Sequence, residues 1–254
     1  MPVALVTGAA IRLGRSIALR LAQEGFVIAA QYNTSRDEAE SLREEITGDN
    51  GTCSLFEVDL AVPDIVSPFF RDVTEQCGMP NLIVNNAAMF VNDDASDFSL
   101  DQFDRHVNVN LKAPIVLSKE FFNGCDDRED RLIVNMLDNK VFALNPDFFS
   151  YTVSKCALRD STEMLAMRFA PKVRVCGIAP SVTLISGKQT QKNFEKSREL
   201  TPLKRGPSPD EIAEAVVFMW RTKSYNGDIM TLDGGQSLLK FPRDVAFLVK
   251  EDLI

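Results

Sequence analysis

The sequence predicts an α/β protein whose core is a doubly wound parallel sheet of about seven strands, with helices on both faces. Short segments rich in β-branched residues alternate along the chain with longer segments of helical periodicity, an order typical of α/β folds. The strand segments are apolar on both faces, as in parallel strands that are covered on both sides. Strands are expected at Val3–Val6, Phe26–Ala30, Cys53–Val58, Leu82–Val84, Leu132–Met136, Val173–Ile178 and Ile229–Leu232. Helices are expected at Leu13–Glu24, Arg36–Thr47, Ile65–Cys77, Leu100–Phe122, Ser150–Ala170 and Pro209–Trp220.

The size and composition of the chain suit a single domain spanning residues 1–254. Its 254 residues are 45% hydrophobic, which is enough for one large core. The formal net charge of -8 disfavours binding to nucleic acids or anionic membranes. We find no basic leader and no membrane-spanning apolar run, so a cytoplasmic protein is expected. The scattered cysteines and the single histidine, His106, lack metal-ligand spacing, and no metal site is expected. His106 is interpreted as a packing or surface residue.

A glycine-containing turn follows the first predicted strand directly. Gly8 and Gly14, with Arg12 and Leu13 between them, join that strand to an amphipathic helix. Glycine lets the backbone approach a pyrophosphate closely, and the helix N-terminus supplies N–H donors and a positive dipole. The position after the first strand favours a dinucleotide site of the Rossmann type over an ordinary strand-to-helix turn.

Polar residues at the ends of the next strands extend this predicted site. The second strand is followed by Asn33-Thr34-Ser35-Arg36, with no acidic residue before Asp37. An NAD site usually has an acid here for the ribose hydroxyls, so the segment favours the 2′-phosphate of NADPH. Ser35 can also cap the following helix, and the two roles are compatible. Asp59-Leu60 and Asn86-Ala87 follow the third and fourth strands, although such residues are also common in plain turns.

A second group of residues indicates proton-transfer chemistry. Tyr151 and Lys155 lie four residues apart on a predicted helix and therefore share one face. An ammonium beside a phenol favours the phenolate and is expected to lower the pKa of Tyr151, giving a proton donor for reduction. Taken alone, a Tyr–Lys pair is a common surface feature. Asp138, just after the fifth strand, and Asn110, in the preceding helical segment, favour the catalytic interpretation.

With these motifs the chain resembles the short-chain dehydrogenase/reductase family over nearly its full length. Within that family it is most similar to the pteridine reductases and the related bacterial dihydromonapterin (dihydropteridine) reductases. Two positions carry the closer likeness: Arg12 stands where most members have the middle glycine, and Asp138 where most have a serine. The resemblance implies NADPH-dependent reduction of a C=N bond in a pterin of the dihydromonapterin, dihydrobiopterin or dihydrofolate type.

The resemblance also implies roles for individual residues. Phe90 stacks on the pterin against the nicotinamide, Lys155 binds the nicotinamide ribose, and Asn110 holds a water of the proton relay. The catalytic residues are expected to be Asp138, Tyr151, Lys155 and Asn110. The residues expected to bind the cofactor are Gly8, Arg12, Leu13, Gly14, Asn33, Thr34, Ser35, Arg36, Asp59, Leu60, Asn86, Ala87, Tyr151, Lys155 and Pro180. The residues expected to contact the substrate are Arg12, Phe90, Asp138, Tyr151 and Thr183.

Asp138 bears on the choice of substrate. An ionised carboxylate only accepts hydrogen bonds, so it suits a substrate with N–H donors better than a developing alkoxide. Two alternatives stay open. One is a carbonyl reductase acting on a 3-oxoacyl thioester or a quinone, and the other is a protein that senses NADPH without turnover. Ala88 and Ile11 also depart from the pterin enzymes, which tend to have serine and lysine there.

The remaining segments have weaker patterns. Ser181–Arg205 is expected to form a loop or a small helical lid, and the tail Gln236–Ile254 to serve an oligomer contact. By the family resemblance, Leu100–Phe122 and Ser150–Ala170 form a four-helix interface between subunits. A homotetramer is therefore implied.

Overall fold

The computed structural model of the protein describes residues 1–126, 130–187 and 189–253. Lys188 and Ile254, which belong to the predicted lid and tail, lie outside the described residues. The strands are β1 (Val3–Val6), β2 (Val27–Tyr32), β3 (Thr52–Glu57), β4 (Leu82–Asn85), β5 (Leu132–Met136), β6 (Arg174–Pro180) and β7 (Ile229–Leu232). They form one sheet of seven parallel strands in the order β3-β2-β1-β4-β5-β6-β7. The predicted fold class is confirmed.

Nine α-helices occur in the part of the chain that the structure describes. They are α1 (Arg12–Gln23), α2 (Arg36–Gly48), α3 (Val66–Cys77), α4 (Leu100–Val107), α5 (Ala113–Gly124), α6 (Phe149–Phe169), α7 (Gln191–Glu199), α8 (Pro209–Arg221) and α9 (Val245–Lys250). Within residues 1–126, 130–187 and 189–253, no helix has both the length and the apolar character required to cross a membrane.

Successive strand residues point to opposite faces of the sheet and build two cores. Ala4 and Val6 of β1 pack in a core with α1, α2 and α8. Leu5, which lies between them, packs in a second core with α3, α5 and α6. Phe121 of α5 is fully buried in that second core, and burying a phenylalanine side chain stabilises a fold by roughly 1.5–3 kcal/mol. The helices therefore cover both faces of the sheet, as predicted.

The single long helix predicted at Leu100–Phe122 is interrupted. α4 ends at Val107, a π-helical turn spans Asn108–Lys112, and α5 continues from Ala113. Such turns insert an extra residue into a helix and often lie at functional sites. Here the turn contains Asn110, whose buried side chain bonds to neighbouring segments. Because the apolar stripe continues on both sides of the insertion, periodicity alone does not reveal it.

The two segments with weak patterns contain short helices. Ser181–Arg205 includes α7, whose first turn is capped by the hydroxyl of Thr190 accepting from the backbone N–H of Asn193. The tail Gln236–Ile254 includes α9, whose N-cap is the carboxylate of Asp244. Val245 and Ala246 of α9 lie beside the polar residues of the predicted site, and the side-chain amide of Asn193 on α7 donates to the carbonyl oxygen of Ala246 at 2.9 Å.

Candidate active site

A cavity of about 570 Å³ lies along the carboxyl edge of the sheet, where ligands bind in doubly wound folds. It extends from the turn after β1 to the start of α6. The predicted site residues that line it are Gly8, Arg12, Leu13, Gly14, Asn33, Thr34, Ser35, Asp59, Leu60, Asn86, Ala87, Phe90, Asp138, Tyr151, Lys155, Pro180 and Thr183. Two other predicted residues, Arg36 and Asn110, lie outside its lining.

The turn after β1 requires glycine at two positions. Gly8 has a φ of 62°, a backbone conformation that favours glycine. A Cβ atom added to Gly14 would lie 2.0 Å from the carbonyl oxygen of Gly8, so no larger residue fits without a shift of the backbone. The N–H of Gly8 donates to Oε1 of Gln31 on β2 at 2.8 Å. Gln31, which the glycine motif did not reveal, therefore fixes the turn against the neighbouring strand.

The ends of β1 and β4 are joined beneath this turn. The hydroxyl of Thr7 accepts from the backbone N–H groups of Asn86 and Ala87, both at 2.9 Å. The side-chain amide of Asn86 donates to the carbonyl oxygen of Thr7 at 2.8 Å. Asn86 and Ala87 thus stand beside the glycine turn, as the cofactor prediction required. Thr7 was not predicted, although its place at the end of the first strand is a usable signal.

Arg12 connects two parts of the cavity lining. Its φ is 55°, a left-handed conformation that costs an ordinary residue roughly 1–2 kcal/mol. One guanidinium nitrogen, Nη1, donates to the carbonyl oxygen of Ile185 at 2.7 Å. The side chain therefore bridges the glycine turn and the segment that follows β6.

The segment after β2 lines the end of the cavity that is farther from the segment after β6. Ser35 precedes α2, but its hydroxyl accepts no capping hydrogen bond from that helix. The capping alternative for Ser35 is therefore not realised. Arg36 is largely exposed, and its guanidinium lies 3.9 Å from the carboxylate of Glu57 at the end of β3.

The predicted catalytic side chains around α6 meet at one point. The hydroxyl of Tyr151 donates to Oδ2 of Asp138 at 3.0 Å. The other carboxyl oxygen of Asp138 accepts from the backbone N–H of Lys140 at 2.9 Å. Nζ of Lys155 donates to the carbonyl oxygen of Met136 at 2.7 Å and lies 5.8 Å from the ring centre of Tyr151. The phenol thus donates its hydrogen bond to the carboxyl group, while the ammonium donates to a backbone carbonyl and faces the ring of Tyr151.

The electrostatics of this cluster differ from the sequence prediction. Burial and the adjacent Asp138 raise the pKa of Tyr151 well above its usual value, so the expected lowering by Lys155 is wrong for this arrangement. Burial also raises the pKa of Asp138, and it lowers the pKa of Lys155 to about 8. A phenol with a high pKa stays protonated at neutral pH, which is the form that a proton donor requires.

Asn110 holds protein atoms around the cavity. Its side-chain oxygen accepts from the backbone N–H of Met89 at 2.8 Å. Its amide nitrogen donates to the carbonyl oxygen of Met89 and to the hydroxyl of Ser154, both at 3.0 Å. Both amide hydrogens and the oxygen are therefore engaged by protein. The side chain thereby holds the backbone of Met89, next to Phe90, and the role of Asn110 in a proton relay stays a prediction.

Aromatic rings form one wall of the cavity. The rings of Phe90 and Phe148 are stacked with centres 4.2 Å apart, and the ring of Tyr151 meets Phe90 edge-on at 4.6 Å. Phe148 has a φ of 56°, a strained conformation for a bulky residue. The ring of Phe247 on α9 stacks behind Phe148 at 5.6 Å. Phe90 was predicted for this wall, whereas Phe247 carried no sequence signal.

The tail contributes a second wall that the sequence did not predict. Asp244 lines the cavity, and its carboxylate lies 2.7 Å from the ammonium of Lys140, which also lines it. Arg243 and Asp147 form an ion pair at 2.9 Å next to this contact. These pairs join residues about a hundred positions apart in the chain, so no local pattern reveals them. At least this part of the tail serves the site of its own chain.

Comparison with known proteins establishes the family. A family model described as enoyl-(acyl carrier protein) reductase matches residues 8–237. Two solved structures are described as FolM alternative dihydrofolate reductase 1, from Brucella canis and Brucella suis, each in complex with NADP. Each has a TM-score of 0.90 and 37% sequence identity, covers 93% of this chain, and is itself covered over 94% and 95% of its length, respectively. The chain belongs to the short-chain dehydrogenase/reductase family of oxidoreductases, as the motifs predicted.

Two curated relatives are named as reductases of different substrates. Pteridine reductase 1 of Leishmania tarentolae is 28% identical over 281 residues, which cover 94% of this chain and 97% of that protein. The 3-oxoacyl-(acyl-carrier-protein) reductase FabG of Staphylococcus epidermidis is 27% identical over 237 residues, which cover 91% of this chain and 97% of that protein. Sequence identity to these two relatives therefore does not separate the substrate classes.

Proposed function

We propose that the protein reduces a C=N bond of a pterin with NADPH. The observation that carries this proposal is the 3.0 Å hydrogen bond between Tyr151 and Asp138, beside the ring of Phe90. A carboxyl group next to the proton donor suits a planar substrate that bears ring nitrogens and N–H groups. The Brucella structures described as alternative dihydrofolate reductases and the Leishmania pteridine reductase support the same substrate class.

The cavity fits a nicotinamide dinucleotide. At one end, the close approach of Gly8 and Gly14 leaves the N-terminus of α1 open to a pyrophosphate. At the other end, the hydroxyl of Ser181 is buried and has no hydrogen-bond partner among the described residues, so it is available to the carboxamide end of the cofactor. When bound there, NADPH supplies the hydride for the reduction.

Tyr151 and Asp138 supply the proton to the ring nitrogen of the substrate. The high pKa of Tyr151 keeps its hydroxyl protonated, and the raised pKa of Asp138 lets this carboxyl group take up a proton and return it to the phenol. Lys155 uses one N–H on the carbonyl oxygen of Met136, which leaves two N–H groups for the ribose hydroxyls. Phe90 provides the flat apolar surface against which the substrate ring lies.

The preference for NADPH over NADH rests on the segment after β2 and on Arg36 beside it. Replacing Arg36 by alanine should weaken NADPH binding about three- to tenfold, because an exposed charged contact is worth about 1 kcal/mol. NADH binding should not change, since NADH lacks the 2′-phosphate. Fluorescence titration with both cofactors measures this. Arg43→Ala, an exposed arginine that pairs with Glu40 on the same helix, is the matched control. An equal loss for both cofactors would contradict the assignment.

The reaction itself is tested by following the loss of NADPH absorbance with dihydropterins. The panel contains dihydromonapterin, dihydrobiopterin and dihydrofolate, with NADH measured in parallel. Turnover of a dihydropterin with NADPH supports the proposal, and the rates rank the side chains. NADPH binding without turnover of any of them rejects it.

Reduction of a carbonyl group is the second candidate. The similarity to 3-oxoacyl-(acyl-carrier-protein) reductases favours it. A panel of 3-oxoacyl thioesters and quinones distinguishes it from pterin reduction. A carbonyl substrate with a higher kcat/KM than every dihydropterin would replace our proposal. Cofactor binding with no turnover on either panel would indicate an NADPH sensor.

We also propose that the protein assembles as a homotetramer through the helices that follow β4 and β5. Met164 and Met167 on α6 are largely exposed, as expected for side chains that pack against another subunit. Light scattering coupled to size-exclusion chromatography measures the assembly. Met164→Lys with Met167→Lys should shift the mass to a smaller species, whereas a tetramer that resists this double change contradicts the proposed surface.

A further inference from the structure

The backbone around Phe90 is held from both sides by side chains of a single helical stretch. Asn110 bonds to both backbone polar groups of Met89, the residue before Phe90. The backbone N–H of Val91, the residue after Phe90, donates to Nε2 of His106 at 3.3 Å. His106, the only histidine of the chain, is fully buried. The backbone is thus held by hydrogen bonds on both sides of Phe90, whose ring forms part of the cavity wall.

The same two side chains also contact the helix that carries Tyr151. Nδ1 of His106 lies 2.6 Å from the hydroxyl of Ser150, and the amide of Asn110 donates to the hydroxyl of Ser154 at 3.0 Å. Each pair of positions, 106 with 110 and 150 with 154, is four residues apart. Two parallel links therefore connect the strand-end segment of Phe90 to the first turns of α6.

The hydrogen bonds of the first link have a defined direction. A backbone N–H only donates, so Nε2 of His106 must be unprotonated, and the proton of a neutral ring lies on Nδ1. Nδ1–H then donates to Ser150, whose own hydroxyl donates to the carboxylate of Asp93. Asp93 also accepts from the backbone N–H of Ser150 at 3.0 Å. The chain of bonds runs from Val91 through His106 and Ser150 to Asp93.

We propose that His106 is a positioning residue, which with Ser150 and Asp93 holds Phe90 at a set distance from Tyr151 so that the substrate ring meets the proton donor. This inference rests on the proposed function, because it takes Phe90 as the surface that contacts the substrate. Burial lowers the pKa of His106, while Asp93 opposes that change in part, so the ring is neutral at neutral pH. A protonated ring would set an N–H against the N–H of Val91 and break the link.

Substitution of His106 should change substrate binding more than cofactor binding. His106→Ala should raise the KM for the dihydropterin about three- to tenfold, the equivalent of one lost hydrogen bond, and leave the dissociation constant for NADPH unchanged. The reason is that the cofactor turn is held by other residues, notably Gln31 and Thr7. Ser118→Ala removes a buried hydroxyl that bonds only within α5, and it controls for a general loss of stability.

Two conservative variants separate the two contacts of the ring. His106→Gln places an acceptor near Nε2 and should restore part of the substrate KM through Val91. His106→Asn places a donor near Nδ1 and keeps only the contact with Ser150. If none of the three variants changes the substrate KM, or if all of them change the substrate KM and the NADPH dissociation constant equally, the positioning role is wrong.

Nitrogen-15 NMR of the histidine ring tests the link independently of turnover. Because the chain has one histidine, its ring signals need no assignment. We expect a neutral ring with the proton on Nδ1 at pH 7, and loss of the slowly exchanging Nδ1–H signal in Ser150→Ala. A proton on Nε2, or a doubly protonated ring, would overturn the inference. Failure of the wild type to reduce any dihydropterin rejects the proposed function instead, and these ring signals distinguish the two failures.

Discussion

The two halves of the cavity are built by different means. The half proposed to bind the cofactor (the cofactor half) lies at the ends of β1 and β2. It depends on backbone geometry, because Gly8 has a positive φ and a Cβ atom on Gly14 would collide with the carbonyl oxygen of Gly8. The half proposed to bind the substrate (the substrate half) has a wall of side chains from distant parts of the chain, Lys140 with Asp244 and Asp147 with Arg243. The conformation of a backbone turn depends mainly on residues that are close in sequence. A wall of paired side chains forms only when the fold brings distant segments together. The glycine turn can therefore be predicted from a short stretch of sequence, whereas the wall of ion pairs cannot.

The largest effect is expected in the substrate half. Tyr151→Phe removes the proposed proton donor and should lower kcat by about 10²–10⁴, the usual contribution of a general acid. The phenylalanine keeps the ring beside Phe90, and only one hydroxyl group is lost. The dissociation constant for NADPH should therefore stay within about twofold of the wild-type value. Single-turnover kinetics and a cofactor titration measure both quantities. A variant with wild-type kcat would show that the phenol is not the donor.

In the cofactor half, a change that disturbs the backbone of the glycine turn should weaken NADPH binding. Gly14→Ala places a methyl group against the carbonyl oxygen of Gly8 and should weaken NADPH binding by about tenfold or more, since overpacking costs about 1–3 kcal/mol. Gly48→Ala is the matched control, because a Cβ atom there meets no atom within 4 Å. Isothermal titration calorimetry gives both dissociation constants. Equal affinities for the two variants would mean that the turn does not hold the cofactor.

The pH dependence of kcat/KM should reflect the titration of the Lys155 ammonium. Burial lowers its pKa to about 8, so the charged form is lost as pH rises through that value. We expect kcat/KM to fall above about pH 8, because the charged ammonium is the form that binds the ribose hydroxyls. The pH profile of kcat/KM for NADPH, measured at saturating dihydropterin, reports groups of the enzyme before the cofactor binds and measures this. A profile that stays flat to about pH 10, near the ordinary lysine pKa, would contradict the role.

The smallest effect concerns stability. Asp138 has a raised pKa, so its contribution to folding is favourable only at low pH and is lost as pH rises through the folded-state pKa. Asp138→Asn should therefore raise Tm at neutral pH by about 2–4 °C, the shift that corresponds to about 1 kcal/mol in a chain of this size. The gain should vanish near pH 4. Scanning calorimetry at both pH values measures it, and a lower Tm at neutral pH would mean that hydrogen bonding outweighs burial.

The sequence allowed the sheet, its strand number and most residues that line the cavity near the glycine turn to be predicted, because those features follow from local periodicity and from glycine. It also placed Asp138, Tyr151 and Lys155 together by spacing and family resemblance. The predicted lowering of the Tyr151 pKa was wrong, because burial and the adjacent Asp138 raise this pKa, and the burial of the phenol cannot be read from the spacing of Tyr151 and Lys155. The wall formed by Asp244 was missed because long-range contacts produce no periodic pattern in the sequence. His106 is buried, in agreement with the packing alternative, but its contacts with Val91 and Ser150 were not predicted.

The wall contributed by the tail has an evolutionary consequence. Asp244 and its neighbours border the cavity, yet they belong to no strand of the sheet and to neither of its two cores of strand and helix residues. Insertions, deletions or substitutions there can change the shape of one side of the cavity while the glycine turn and the proposed proton donor stay in place. Selection can thus change which molecule is accepted without rebuilding the machinery that reduces it.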